Sequence, residues 1–91
     1  MIEQIPFIEE LKEYVEKYDE IDEDPAEALL KIVLRYQEFE LVSIIEGRLA
    51  YKEKLQKVFY DWPIGVFVKD NICFVVDDKW DIIIVLKEKN D

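Results

Sequence analysis

Between residues 64 and 86 the chain carries three short apolar runs, 64–68, 72–76 and 80–86, parted by Lys69-Asp70-Asn71 and Asp77-Asp78-Lys79. Runs of this length, rich in Val, Ile and aromatic residues and bounded by turn formers, read as strands. Connections this short make neighbouring strands antiparallel. The reading is a three-stranded β-meander. Alternation along the strands puts Ile72, Phe74 and Val76 with Trp80, Ile82, Ile84 and Leu86 on one face. It puts Cys73 and Val75 with Ile83 and Val85 on the other, and sets Phe67 opposite Val66 and Val68. Both faces are therefore apolar, whereas an antiparallel sheet with one wet face alternates apolar with polar. Helices can cover one face. The second needs a further helix, a second subunit or a partner.

The helices come first in the chain. Phe7, Leu11, Tyr14 and Tyr18 recur at helical spacing, which predicts a helix over 6–18 with Pro6 at its first position. Glu9, Glu13 and Glu16 fall on one stripe opposite the apolar residues, joined by Glu20 if the last turn reaches that far. Glu13 and Lys17 are spaced for an ion pair. A linker follows, Asp19, Glu20, Ile21, Asp22, Glu23 and Asp24, acidic at every position but one. It ends on a helix-start signal: Asp24 to cap, Pro25 at the first position and Glu27 three residues after the cap. The second helix is read over 25–38, with Leu29, Val33 and Tyr36 in line and Leu30, Ile32 and Leu34 widening the face.

Residues 39–60 admit two readings. As a helix, Ile44, Tyr51, Leu55 and Val58 recur at roughly helical spacing, and Lys52, Glu53, Lys54 and Gln56 are good helix formers. As a hairpin, 41–45 and 48–51 flank a turn at Glu46-Gly47. The helix is the favoured reading. The expected fold is thus a single α+β domain over 1–91, with two or three N-terminal helices packed on a C-terminal three-stranded antiparallel meander.

Charge is the second constraint. The chain holds 22 acidic and 12 basic side chains, a formal charge of −10. The excess is concentrated: residues 1–30 contain 11 acidic and 2 basic side chains, whereas 31–60 contain 4 acidic and 6 basic. A hydrophobic share of 51% separates the chain from disordered acidic tails. Its field repels nucleic acid and anionic membrane surfaces, so direct binding to either is not expected. No apolar run approaches the roughly 20 residues of a membrane-spanning helix. Glu3, Glu9 and Glu10 stand where a secretory leader would be basic and then apolar, and a single cysteine makes no internal disulfide. The cytoplasm of a cell or host is the expected location. Abundant Ile, Glu and Lys with only 2 Asn and 3 Gln is a bias of proteins from hot environments, and AT-rich genomes produce it as well.

Catalytic residue types are scarce. The chain has no His and no Thr, and Ser43 and Cys73 are its sole hydroxyl and thiol nucleophiles of those kinds. Ser43 lies within an apolar run without an imidazole to activate it, and Cys73 reads as a buried strand residue. A carboxylate pair for glycoside chemistry would need a cleft that a chain of this length has little room to form. The acidic run 19–24 lacks the glycine and the continuing loop of a calcium site. No enzyme activity, metal or cofactor is expected. Lys31, Arg35, Arg48, Lys52, Lys54 and Lys57 form a basic middle, read as internal balance for the acidic first helix rather than as an anion site.

What remains is a surface for a basic partner: Glu9, Glu13, Glu16, Asp19, Glu20, Asp22, Glu23 and Asp24. Successive carboxylates on the stripe lie about 5–6 Å apart, of the order of phosphate spacing along a nucleic-acid strand. Such a surface fits a cleft built for DNA or RNA. In size and charge alone the chain resembles small acidic inhibitors, such as toxin-immunity proteins and phage or viral proteins that block nucleic-acid enzymes. That likeness of type assigns no residue a role. The expected function is non-catalytic inhibition of a basic, nucleic-acid-processing protein. A homodimer is expected, paired through the second sheet face or the broad face of the second helix. The alternative function is a small homodimeric assembly module whose acidity serves solubility.

Overall fold

A computed structural model describes residues 4–89, so Glu3 lies outside the described residues. The first helix, α1, is Ile8–Glu16, with Glu9 and Glu10 in its first turn and Leu11 and Tyr14 buried. It begins two residues after the expected start, with Pro6 in the turn before it, and ends two residues before the expected boundary. At Lys17 the chain tightens into a 3-10 turn, Tyr18–Glu20, which carries the Tyr18 hydroxyl to the carboxylate of Asp77. Glu20 therefore leaves the stripe of Glu9, Glu13 and Glu16. Lys17 lies past the helix end and Glu13 does not pair with it; Lys12 pairs instead with Glu9, at 3.1 Å.

The second helix, α2, is Pro25–Val33. Its start follows the sequence signal: one Asp24 carboxylate oxygen accepts from the backbone N–H of Ala26 at 2.9 Å and of Glu27 at 3.3 Å. Asp24→Ala should lower stability by about 1 kcal/mol, measured by denaturant unfolding. No measurable loss would show that packing alone holds this helix end. The helix stops five residues short of the expected Glu38. Residues 34–38 must turn the chain from the helix layer down to the sheet, and Arg35 and Tyr36 are held there by Glu10 of α1.

The sheet differs from the expected meander. Among the described residues it has five antiparallel strands: β1 Phe39–Glu46, β2 Gln56–Asp61, β3 Ile64–Lys69, β4 Ile72–Asp77 and β5 Ile82–Glu88, in the spatial order β1-β5-β4-β3-β2. The meander β3-β4-β5 lies at its centre, and the helices do precede it. The error lies in 39–60, which supplies both edge strands and no α-helix. Val42, Ile44, Ile45, Val58, Phe59 and Tyr60 suit strands. Gly47 at φ 141° and Tyr51 at φ 57° stop a helix, and the good helix formers make only a 3-10 turn, Lys52–Lys54. The hairpin reading placed the first strand nearly correctly, but its second strand, 48–51, forms no strand, and β2 sits at the opposite edge of the sheet from β1.

Register also corrects the faces. Val75 stands opposite Ile84 and Cys73 opposite Leu86, while Phe74 faces Val85 and Val76 faces Ile83. Opposite residues share a face. Cys73 and Val75 therefore go with Ile82, Ile84 and Leu86, the reverse of the expected grouping. The reason is the turn: Trp80 lies in a four-residue loop between Asp77 and Ile82 rather than in the strand. Phe67 does oppose Val66 and Val68.

One face, with Ile64, Val66, Val68, Cys73, Val75, Ile84 and Leu86, packs against Phe7, Leu11, Leu29, Ile32 and Val33 of the helix layer. The other is covered by the chain itself. Because β1 and β2 are the two outer strands, residues 47–55 must cross the sheet. Leu49 and Leu55 from this crossing pack on Phe67, Val76, Ile83 and Val85. Lys52 pins it, with its ammonium 3.0 Å from the Asp78 carboxylate and over the rings of Tyr60 and Phe67. The Tyr60 hydroxyl donates to the same carboxylate at 2.6 Å. Burial raises the Asp78 carboxyl, but these two groups outweigh it and hold the group below its ordinary value. The Tyr60 ring lies over Gly65, where a Cβ would come within 2.6 Å of it, so only glycine fits. The second face accordingly needs no second subunit to cover its centre.

Candidate functional site

All eight acidic residues of the expected surface are exposed. They are not equivalent. Glu9 is matched by Lys12, Glu23 is matched by Lys31 at 2.7 Å, and Asp24 caps α2. Among the described residues, Glu13, Glu16, Asp19, Glu20 and Asp22 form no ion pair. Glu10, a neighbour of the stripe, points the other way, onto Arg35 and Tyr36. The basic middle is largely spent inside the molecule. Lys31 and Arg35 meet Glu23 and Glu10, while Arg48 and Lys52 meet Asp81 and Asp78 of the β4–β5 loop.

The structure brings part of the acidic segment to one end of the sheet, where β4 turns into β5. Asp77 organises this end. Its carboxylate is fully buried, accepts from the Tyr18 hydroxyl at 2.7 Å, and accepts from the backbone N–H of Lys79 at 2.8 Å and of Trp80 at 3.0 Å. A short acidic side chain bonded to amides two and three residues on is a turn-forming device. Here it also ties the loop to the helix layer. Asp81, at φ 53°, closes the loop, and its carboxylate accepts from Arg48 at 2.8 Å.

Held in this way, Trp80 projects from the surface with 58% of its area exposed. On one side is a hollow of about 140 Å³ lined by Tyr14, Tyr18, Asp19, Glu23, Lys79 and Trp80, among others. On the other is a wider groove of about 570 Å³ that includes Asp24, Glu46 and Asp81. Aromatic faces and carboxylates thus alternate across the end of the molecule. Tyr14 and Tyr18 meet edge to face with ring centres 5.6 Å apart. The ammonium of Lys79 lies 5.5 Å from the Tyr18 ring centre and 5.7 Å from that of Trp80.

The field in the hollow is negative. Burial pushes the Tyr14 hydroxyl up to about 12, assisted by the charges of Asp77, Glu23 and Asp24. Burial also raises Tyr18, and its bond to Asp77 raises it further. Charges that oppose a new anion favour a cation, and ring faces add to the attraction.

Sequence reasoning found Asp19, Glu23 and Asp24 but missed Tyr18, Trp80, Glu46 and Asp81. Asp77, Asp78 and Asp81 around an aromatic residue were the available signal, but reading Trp80 as a strand residue hid it. Elsewhere, Cys73 is buried, and burial alone pushes its thiol up to about 12, far from a reactive thiolate. No group of three or more His, Cys, Asp or Glu side chains among the described residues is placed to hold a metal ion. No helix of the described residues is long and apolar enough to cross a membrane. The chain matches no family model, no curated protein and no solved structure.

Proposed function

We propose that the protein is a non-catalytic binding module that captures a basic partner through its acidic 13–24 segment and the hollow beside Trp80. The observation that supports this most is the seat of Lys79. The hollow already holds an ammonium group between two aromatic faces, beside Asp19, which forms no ion pair among the described residues, and Glu23, which is paired with Lys31. A lysine or arginine of a partner meets the same chemistry. Unpaired Glu13, Glu16, Asp19, Glu20 and Asp22 steer that partner, and Trp80 and Tyr18 hold it. Proteins that process nucleic acid carry clustered lysine and arginine, which makes them the class proposed for inhibition, in the cytoplasm of the cell or its host.

The test is capture from a lysate of the source cells, at low and high salt, by the wild type and by the exposed-site variant D19K/E20K/D22K. Basic nucleic-acid-binding proteins should be held by the wild type, released by salt and missed by the variant. With an identified partner, the triple variant should slow association by about 10- to 100-fold at low salt. A captured set indifferent to both salt and the variant sinks the reading. One observation favours the second reading, a homodimeric assembly module: Leu41, Val42, Ile44 and Ile45 are all exposed on one edge strand.

A further inference from the structure

The strand β1 exposes apolar side chains along most of its length. Leu41, Val42, Ile44 and Ile45 are 40%, 55%, 43% and 45% exposed. Among the described residues the strand is paired on one side only, by β5. Proteins commonly blunt such an edge with charge, which β2 at the other edge carries as Lys57 and Asp61 and β1 carries as Glu40 and Glu46 toward its ends. Residues 41–45 of β1 carry no charge.

The backbone of β1 shows what would complete it. At its two ends, the Lys89 N–H donates to the Glu38 carbonyl and the Gly47 N–H donates to the Asp81 carbonyl. Hydrogen-bonding direction alternates along an antiparallel strand. Glu40 therefore turns its N–H and C=O toward β5, as do Ser43 and Ile45 beyond the register shift between Leu41 and Ser43. Phe39, Leu41, Ile44 and Glu46 turn theirs toward the open edge. Their partners across β5 are Glu88, Leu86, Ile84 and Ile82, so all four side chains also share the helix-side face.

We propose that β1 pairs antiparallel with β1 of a second copy, with Leu41 of each opposite Ile44 of the other, joining the two sheets edge to edge. In this register Phe39 meets Glu46, Leu41 meets Ile44, and every open-edge residue faces an open-edge residue. The faces match as well, since helix-side residues oppose helix-side residues. A shift by one residue breaks both matches, and the register centred on Ser43 sets Glu40 against Glu46. Here Glu40 stands opposite Ile45, and it already faces Lys87 within its own sheet. The Phe39 N–H has a bond to the Tyr36 carbonyl at 3.4 Å, so Phe39 contributes its carbonyl. The contact is isologous and closes at two copies, because each open β1 edge is consumed. This inference rests on the assembly reading and not on capture of a basic partner.

The experiment is sedimentation of the full chain across the micromolar range, for the wild type and for Ile44→Pro. The substitution removes an N–H directed at the open edge and leaves the β5 ladder intact, a position where a strand tolerates proline. The wild type should sediment as a dimer and the variant as a monomer with unchanged circular dichroism. Two chains of charge −10 repel, so added salt should tighten the pair. Salt acts in the opposite sense on capture of a basic partner, which separates failure of one reading from failure of the other. Hydrogen exchange on the wild type gives a second readout that needs no variant: the Leu41 and Ile44 amides should gain protection with concentration. A wild-type monomer throughout, a dimer that survives Ile44→Pro, or Leu41 and Ile44 amides indifferent to concentration overturns the proposal.

Discussion

Asp77→Ala should destabilise the protein by about 2–4 kcal/mol, because unsatisfied buried donors cost about 1–3 kcal/mol each and part of the loss is recovered by water at the loop. The carboxylate is fully buried and satisfies three donors, the Tyr18 hydroxyl and the amides of Lys79 and Trp80. One side chain thus joins β4, the β4–β5 loop and the segment after α1. Denaturant unfolding should show a lower midpoint with an unchanged slope, since the same surface is exposed on unfolding. Asp77→Asn keeps an acceptor for the two amides and should lose roughly half as much. The variants also read out the site. With the loop released, Trp80 and Lys79 lose their fixed positions, and the proposed binding of a basic partner should weaken beyond what stability explains. An alanine variant as stable as the wild type would show that the loop is held by something other than this carboxylate.

Phe7→Ala should cost about 3–5 kcal/mol, a large part of the 5–15 kcal/mol typical of a whole domain. Phe7 is fully buried just before α1, with ring centres 6.0 Å from Tyr36 and 5.7 Å from Phe39. It is the apolar joint between α1, the turn that follows α2 and the start of β1. The backbone bond from the Leu11 N–H to the Phe7 carbonyl survives the substitution. The loss therefore reports the ring and the cavity left behind. Phe7→Leu should cost about 1–2 kcal/mol, as smaller apolar replacements do. Thermal and denaturant unfolding measure both, and an alanine variant within about 1 kcal/mol of the wild type would remove the joint from the account.

Much of the helix layer and the central meander was legible in the residues. Asp24-Pro25 announced α2 because a cap is local chemistry between neighbours. The turn formers at 69–71 and 77–79 announced the meander for the same reason, although the second turn runs over 78–81 and takes Trp80 out of the strand. Residues 39–60 misled because Lys52, Glu53 and Lys54 favour a helix locally. The pairing that makes β1 and β2 strands comes from β5 and β3, distant or later in the chain. The acidic surface was visible as a composition, and its exposure followed from charge. Which carboxylates were spent was not visible: the partners of Glu10, Glu23, Asp78 and Asp81 lie 8 to 33 residues away.

The amino-acid order alone determined the excess negative charge of the first third, the start of α2 and the apolar runs that become the three central strands. Each of these depends on residues within a few positions of one another. Only the tertiary structure decided the two edge strands, the crossing that covers the outer face and the placement of Trp80 among carboxylates. Those depend on backbone pairing and burial between segments far apart in the chain, where local preference is outweighed by the contacts the whole fold provides.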